Sequence, residues 1–459
     1  MFDQSFYVAR RARLKKQVRS GLVLLLGNEE SPMNYTDNTY HFRQDSSFLY
    51  FFGLDYAGLA GVIDLDEGTD AVYGNDLTID DFVWMGPQPT IRERALKSGV
   101  ERTGSIKQLE DLLKETQQRN RIIHFLPPYR PENKLKLMRW LGMAPDEAAA
   151  SVDLIKAVVD QRVVKGPEEV EEIEKAVNIS VDMHLAAMRM VKPGITEARV
   201  AAAVHQVALA SGGNLAFPII ATIHGETLHN HFYGNLLKKG DLFLLDSGAE
   251  TALHYAGDLS STMPVDPRFS ERQREIYRIA LAAHEAAVGA LKPGVKNMDV
   301  HFLACRILAQ GLKDIGLMKG DVEEAVHDGA HALFFPCGTG HMMGLDVHDM
   351  EDLGEIYVGH EGEPKSTQFG LKSLRLAREL QPGFVLTIEP GIYFIPQLID
   401  KWRAEKKFVD FINYDRVESY KNFGGIRNEE NALITRDGHR ILGKPKPKTP
   451  EEVESVARW

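Results

Sequence analysis

The chain has 459 residues, 44% apolar and 26% charged, with a formal net charge of −11. That composition suits a folded protein with room for two domains and leaves out disordered and fibrous classes. The negative charge is spread along the chain without a large basic patch, so nucleic acid is disfavoured as a partner. No apolar run reaches the roughly 18 residues that span a membrane. Two cysteines, Cys305 and Cys337, cannot build a disulfide framework, and the first residues lack a signal-peptide pattern, so a cytoplasmic setting is expected.

Short apolar runs at 22–26, 48–52 and 60–65, split by Gly, Asn and Asp, predict strands with tight turns. Helical periodicity follows at 91–98 and 106–117, then a strand at 122–126 and a helix around 135–141. This mixture predicts an α/β domain over 1–150. Around 143–151 the sequence turns to Ala, Asp, Glu and Pro without periodicity, and a linker over 151–166 is expected. Gly166 and Pro167 then open a helix whose first turns are acidic, as the helix dipole favours. A second domain, 167–459, begins there.

Within it the sequence repeats at a spacing of 100 residues. His184, Ala186, Ala187, Lys192, Pro193, Gly194 and Val200 recur as His284, Ala286, Ala287, Lys292, Pro293, Gly294 and Val300. Two copies of a helix broken by the same Lys-Pro-Gly predict two related halves with a site between them. Each unit is followed by strand-like sequence: 242–246 and 255–264 as a hairpin in the first half, then 385–389, 392–395 and a last strand at 426–435 in the second. The Lys-rich tail from Lys444 reads as solvated.

Carboxylates sit where these apolar strands break. Asp246 ends one run, Asp258 follows Tyr-Ala-Gly, Glu389 ends another, and Glu429 follows Gly-Gly-Ile-Arg-Asn. A carboxylate on a buried strand is costly unless paired or bound to metal. The stretch CGTGHMMGLDVHD adds His341 and His348 among glycines that permit close backbone approach. Each histidine reads as a ligand or proton carrier, or as a core residue beside the apolar run at 332–335. Four carboxylates with His341 fit divalent cations; a structural ion-pair network is the competing account.

The order Asp246, Asp258, His341, Glu389, Glu429, carried by LLDSGAE, YAGD, GTGHMMGLDVHD, LTIEPGIYF and FGGIRNEEN, resembles the metal set of the pita-bread metallopeptidases, in the aminopeptidase P and proline dipeptidase branch. HFRQDSSFLYFFG is similar to that branch's N-terminal domain, so the likeness covers nearly the whole chain. The resemblance implies a ribonuclease-H-like α/β domain followed by an α+β pita-bread domain with internal pseudo-two-fold duplication. It implies two divalent ions, of manganese type, held by Asp246, Asp258, His341, Glu389 and Glu429, with Asp258 and Glu429 bridging. The expected reaction is hydrolysis of the Xaa-Pro bond at the N-terminus of peptides, with a metal-activated water as nucleophile. Glu389 would handle the water proton, and His229 and His348 would hold the scissile carbonyl. His231 is a rival for His229. Arg375 would meet a substrate carboxylate, and Arg427 would steady a bridging carboxylate.

Three positions depart from the pattern. Asp246 and Asp258 are 12 residues apart where 11 is usual, for which a bulge is expected. Cys337 stands at a usual histidine, and Asn428 at a usual aliphatic residue. A dipeptidase restricted to Xaa-Pro is the alternative activity, and a catalytically silent binding protein the alternative of another class. The resemblance also implies a homodimer or homotetramer, with Trp84 as a candidate contact.

Overall fold

The computed structural model describes residues 1–143 and 150–456, in two compact units. The first holds residues 1–162 and 352–357; the second holds 163–351 and 358–459. Among the described residues, no helix is long and apolar enough to cross a membrane.

The first unit is built on a five-stranded sheet of β1 (Leu22–Leu26), β2 (Ala60–Asp64), β3 (Thr69–Tyr73), β4 (Arg102–Gly104) and β5 (Ile123–Phe125), in the order β4-β3-β2-β1-β5. β1 and β2 pair antiparallel, whereas β5 joins β1 and β4 joins β3 in parallel. Leu22, Leu24 and Val62 of the sheet form one core with Leu109, Leu113, Leu137 and Trp140 from the helices Ile106–Gln118 and Pro131–Leu141. β1, β2, β5 and both helices lie where the sequence predicts them, whereas β3 and β4 fall outside the predicted strands.

The run at 48–52 does not form the expected strand. It lies in helix Ser46–Phe52, started by the Asp45 carboxylate accepting from Phe48 N at 2.8 Å and ended by Gly53 in the left-handed region at φ 64°. Every side chain of this helix is buried, so no polar stripe marks its period. The expected linker over 151–166 contains helix Val152–Arg162, while residues 144–149 of the preceding stretch lie outside the described residues.

The second unit carries the duplication that the repeat predicts. Helices α1 (Pro167–Met190) and α2 (Glu197–Ala210) in the first half correspond to α3 (Glu271–Gly289) and α4 (Asn297–Asp314) in the second. The repeated His184 and His284 are buried core residues facing the strands. His184 Nδ1 meets Ser261 Oγ at 2.9 Å, and His284 Nε2 lies 3.7 Å from Glu430.

In the first half β6 (Leu242–Ser247) pairs antiparallel with β7 (Leu259–Pro264), in a register that sets Asp246 opposite Ser260. The bridge Glu250↔Ala256 and the bond from Thr251 N to Tyr255 O keep that register to the tip. The expected bulge is therefore absent from this ladder. The extra length sits in the turn, where His254 takes φ 65°.

In the second half β8 (Val385–Ile388) pairs with β11 (Glu430–Ile434), and β9 (Gly391–Tyr393) with β10 (Gly425–Arg427). Both ladders keep one register, so the expected last strand at 426–435 is two strands parted at Asn428 and Glu429. The opposite strand breaks at Glu389 and Pro390, and proline has no N–H for the ladder. A further strand, β12 (His439–Ile441), covers β11. The Lys-rich tail is only partly solvated: Lys446 is 6% exposed and donates to Ser260 O at 2.9 Å and Ser261 Oγ at 3.0 Å.

The segment 341–349 is clamped by a buried ion pair, Lys165 Nζ to Asp349 Oδ2 at 2.8 Å, with both side chains 1% exposed. Lys165→Met removes the countercharge from a carboxylate that stays in the core. The expected loss is about 3–5 kcal/mol of stability in this unit, read by urea unfolding; a loss below about 1 kcal/mol would contradict it.

Candidate metal centre and active site

Register explains how the carboxylates meet. Asp246 is opposite Ser260, so Asp258, two residues back along the same strand line, is its diagonal neighbour on one face. The second-half register places Glu389 opposite Glu429. The two halves are stitched at this point: Glu429 N donates to Ser260 O at 3.2 Å, Arg427 N donates to Thr262 Oγ1 at 3.0 Å, and Asp258 N donates to Asn431 Oδ1 at 3.1 Å. One half thus contributes a diagonal acidic pair, the other an opposed one.

His341 closes the group. Its Nε2 lies 3.3 Å from Asp258 Oδ2 and 3.6 Å from Glu389 Oε1. Its Nδ1 lies 3.1 Å from Met342 O, and a proton donated there leaves the Nε2 lone pair facing the acids. The backbone is held against β8: Thr387 N donates to His341 O at 2.9 Å, and Glu389 N to Thr339 O at 2.7 Å. Gly340 is needed for this approach, since a Cβ there would stand 1.9 Å from Thr387 O.

Asp258, His341 and Glu429 each offer a ligand atom within 4.8 Å of the others, all buried. Asp246 Oδ1, Asp258 Oδ1 and Glu429 Oε1 are buried without a hydrogen-bond partner. Burial, and then the neighbouring carboxylates, raise the pKa of Asp258 and Glu429 well above the usual range. Burial raises Glu389 too, against the pull of His341 and Arg427. A cation resolves both the unpartnered oxygens and the crowded charge, so these residues fit a divalent metal.

Arg427 is the fixed countercharge. Burial alone would lower its pKa, but Tyr393 and the surrounding carboxylates hold it well above its ordinary value. Its guanidinium reaches Asp246, donates to Tyr393 OH at 2.8 Å and to Ser260 Oγ at 2.8 Å; Ser260 in turn donates to Glu429 Oε2 at 2.8 Å.

These groups floor a cavity of about 220 Å³ with an apolar side of Phe217, Pro218, Ile220, Leu228 and Val347. His348, His229 and Arg375 line it as expected. The His348 ring lies 4.2 Å from that of His341, and its Nδ1 contacts Glu351. His229 and His231 both line the cavity, but His231 Nδ1 lies 3.5 Å from Ile219 O, whereas His229 feels Asp246 and His348. Burial lowers the pKa of His229, His341 and His348, favouring neutral imidazole. Burial pushes the Cys337 thiol up to about 12, so it stays a thiol beside Glu389.

Sequence reasoning missed Tyr393, Ser260 and Glu351. Glu351 contacts His348 and takes Arg375 Nε at 3.3 Å; its carboxyl is held down to about 2 by the His348 bond, against burial, with help from Arg375. Its position three residues after His348 was the available signal.

A cleft of acidic strand ends and one imidazole, held between duplicated halves, defines a metal-dependent hydrolase. Residues 171–436 match metallopeptidase family M24, and residues 7–124 match the aminopeptidase P N-terminal domain. The chain is 31% identical to human Xaa-Pro dipeptidase, over 98% of this chain and 91% of that one. It is 30% identical to the Xaa-Pro aminopeptidase of Escherichia coli K12, over 97% and 96%. Pseudomonas aeruginosa aminopeptidase PepP superposes with a TM-score of 0.81 at 25% identity, covering 99% of this chain and 97% of that one. The chain belongs to metallopeptidase family M24, with the two-domain architecture expected from the resemblance.

Raised carboxyl pKa values mean that protons and metal compete. In the metal-free protein these carboxyls contribute stability at low pH, lost as pH rises from about 4 through their raised values. Metal binds the deprotonated set, so the rise in Tm caused by saturating Mn2+ is expected to grow from pH 5 to pH 8. Differential scanning calorimetry with and without metal reads this; an increment that stays flat or shrinks would refute it.

Proposed function

We propose that this chain is an Xaa-Pro aminopeptidase, releasing the residue before proline from the N-terminus of peptides, with two divalent ions of manganese type bound by Asp246, Asp258, His341, Glu389 and Glu429. The observation that carries this reading is the convergence of unpartnered carboxylate oxygens with His341 beneath an apolar-sided cavity. The family and the names of the relatives support it. An all-oxygen set with one imidazole suits a harder ion such as Mn2+. When bound, such ions lower the pKa of a water and polarise a carbonyl.

The chain's own groups then have distinct tasks. Glu389, whose proton affinity burial raises, receives the proton of the attacking water. His348 and His229 hold the scissile carbonyl, and Glu351 fixes the His348 ring through Nδ1 so that Nε2 faces the cavity. Phe217, Pro218 and Val347 receive the proline ring, which lacks an amide hydrogen and needs shape more than hydrogen bonds. Cys337 supplies no ring donor at that end of the cavity. Arg427 holds Asp246 and, through Ser260, Glu429.

Arg375 supports the aminopeptidase reading over the dipeptidase one. Its guanidinium already meets the Glu351 carboxylate. A dipeptide's own carboxylate arriving there would stand beside Glu351 and be repelled, so longer peptides are favoured. We read the protein as a cytoplasmic homo-oligomer, a dimer or tetramer. The strongly exposed Ile79, Val83 and Trp84 of helix Ile79–Met85 support an apolar contact of the first unit. Domain bounds of 1–150 and 167–459 belong to the same reading.

Two assays test this. With Mn2+ present, Xaa-Pro-Yaa-Yaa peptides are expected to be cleaved with higher kcat/KM than Xaa-Pro dipeptides. Activity confined to dipeptides would establish the dipeptidase, and a metal-loaded chain inert on both would establish the silent protein. His348→Ala is expected to lower kcat by about 10²–10³-fold, with KM changed far less. A loss expressed mainly in KM would show that His348 binds substrate and reacting carbonyl alike.

A further inference from the structure

Behind the segment that carries His341 lies a second cluster of metal-ligating side chains. His301 and Cys305 stand one helical turn apart on α4, and His331 projects from the 3-10 turn Ala330–Leu333. One ligand atom from each lies within 4.8 Å of the others, and all three residues are buried. The site is sorted by chemistry from the acidic centre: two imidazoles and a sulfur, with no carboxylate in the set.

Two features separate it from an ordinary packed core. His301 Nδ1 lies 2.7 Å from Thr339 Oγ1; a proton donated there leaves Nε2, 3.5 Å from Cys305 Sγ, with its lone pair turned into the cluster. Ligating histidines commonly donate their outer N–H in this way. His331 is 4% exposed, and neither ring nitrogen has a hydrogen-bond partner. The Ala325 and Val326 carbonyls lie near enough only to favour its protonated form slightly. Burial holds His301 down to about 3 and His331 to about 4, so both rings are in the neutral form that binds metal.

We propose that His301, Cys305 and His331 form a second metal site, for a thiophilic ion of the Zn2+ class, separate from the peptidase centre. Bonds of about 2.0–2.3 Å to zinc need donors nearer to about 3.5 Å apart, a closure that side-chain rotation supplies. The fourth position is left to water. Burial pushes the Cys305 thiol pKa up, so binding must release its proton: one S–H bond breaks, one S–metal bond forms, and one proton leaves to solvent. Through Thr339, which bonds both His301 and, by its carbonyl, Glu389 N, an ion here would brace the strand end that carries Glu389.

Cobalt(II) distinguishes the two centres, because only a thiolate ligand gives an intense near-ultraviolet charge-transfer band. The full-length chain, stripped with chelator and saturated with Co2+, is expected to show that band and to lose it when Zn2+ is added. The band should persist in Cys337→Ser, whose sulfur lines the peptidase cavity, and vanish in Cys305→Ser. Zinc content should fall by one equivalent per chain in Cys305→Ser and in His331→Gln. No thiolate band in the wild-type protein at saturating Co2+, a band that survives Cys305→Ser, or one that vanishes in Cys337→Ser would overturn the proposal. The wild-type spectrum decides the first of these without any variant having to fold.

Discussion

The catalytic unit is organised around electrostatic crowding. Asp246, Asp258, Glu389 and Glu429 are brought to one point on strands whose other residues are apolar, and the fixed cation among them is Arg427. Arg427 cannot offset four carboxylates, and three of the buried oxygens find no donor at all. Left to itself this arrangement favours protonated acids, as the raised pKa values of Asp258, Glu389 and Glu429 show. It therefore stores an affinity for cations in the fold itself. The surrounding bonds, from Ser260 to Glu429 and from Arg427 to Tyr393, hold the oxygens still so that this affinity is not lost to rearrangement.

The duplication gives this crowding its geometry. The halves share a helix pair and a helix breaker, and their equivalent histidines, His184 and His284, both serve the core. Their strands contribute differently. One hairpin keeps its register to the tip and presents two aspartates diagonally across one face. The other interrupts its ladder at Pro390 and Glu429, which turns the Glu429 amide away from its own sheet and onto Ser260 of the first half. The break is what couples the halves. Freed ladder groups bond across the interface where the acids lie, and the site inherits the rigidity of both sheets.

Glu351 shows how one loop residue tunes a shared chemistry. It contacts His348 and Arg375 together, so the orientation of that histidine and the charge that Arg375 presents to the cavity are linked. Cys337 places on the cavity lining a half-buried thiol whose pKa, about 12, keeps it uncharged. Cys337 lies on the cavity lining and Glu351 behind His348 and Arg375, and neither belongs to the acidic cluster.

The sequence by itself determined the pieces whose physics is local. Helix periodicity, the Lys-Pro-Gly repeat, and the placing of Asp246, Asp258, His341, Glu389 and Glu429 at the ends of apolar runs were legible because each is a pattern within a few residues. Where the pattern was uniform, local reading failed. Residues 48–52 show no polar face because the helix is wholly buried, and the Lys-rich tail looked solvated because nothing nearby announces the pocket that takes Lys446. Only the tertiary structure decided which carboxylates oppose one another, where the extra hairpin residue goes, and that Ser260, Tyr393 and Glu351 belong to the site. These depend on strand register and on contacts between residues 34 to 169 positions apart, or on a side-chain orientation within one loop, and no short stretch of chain encodes them.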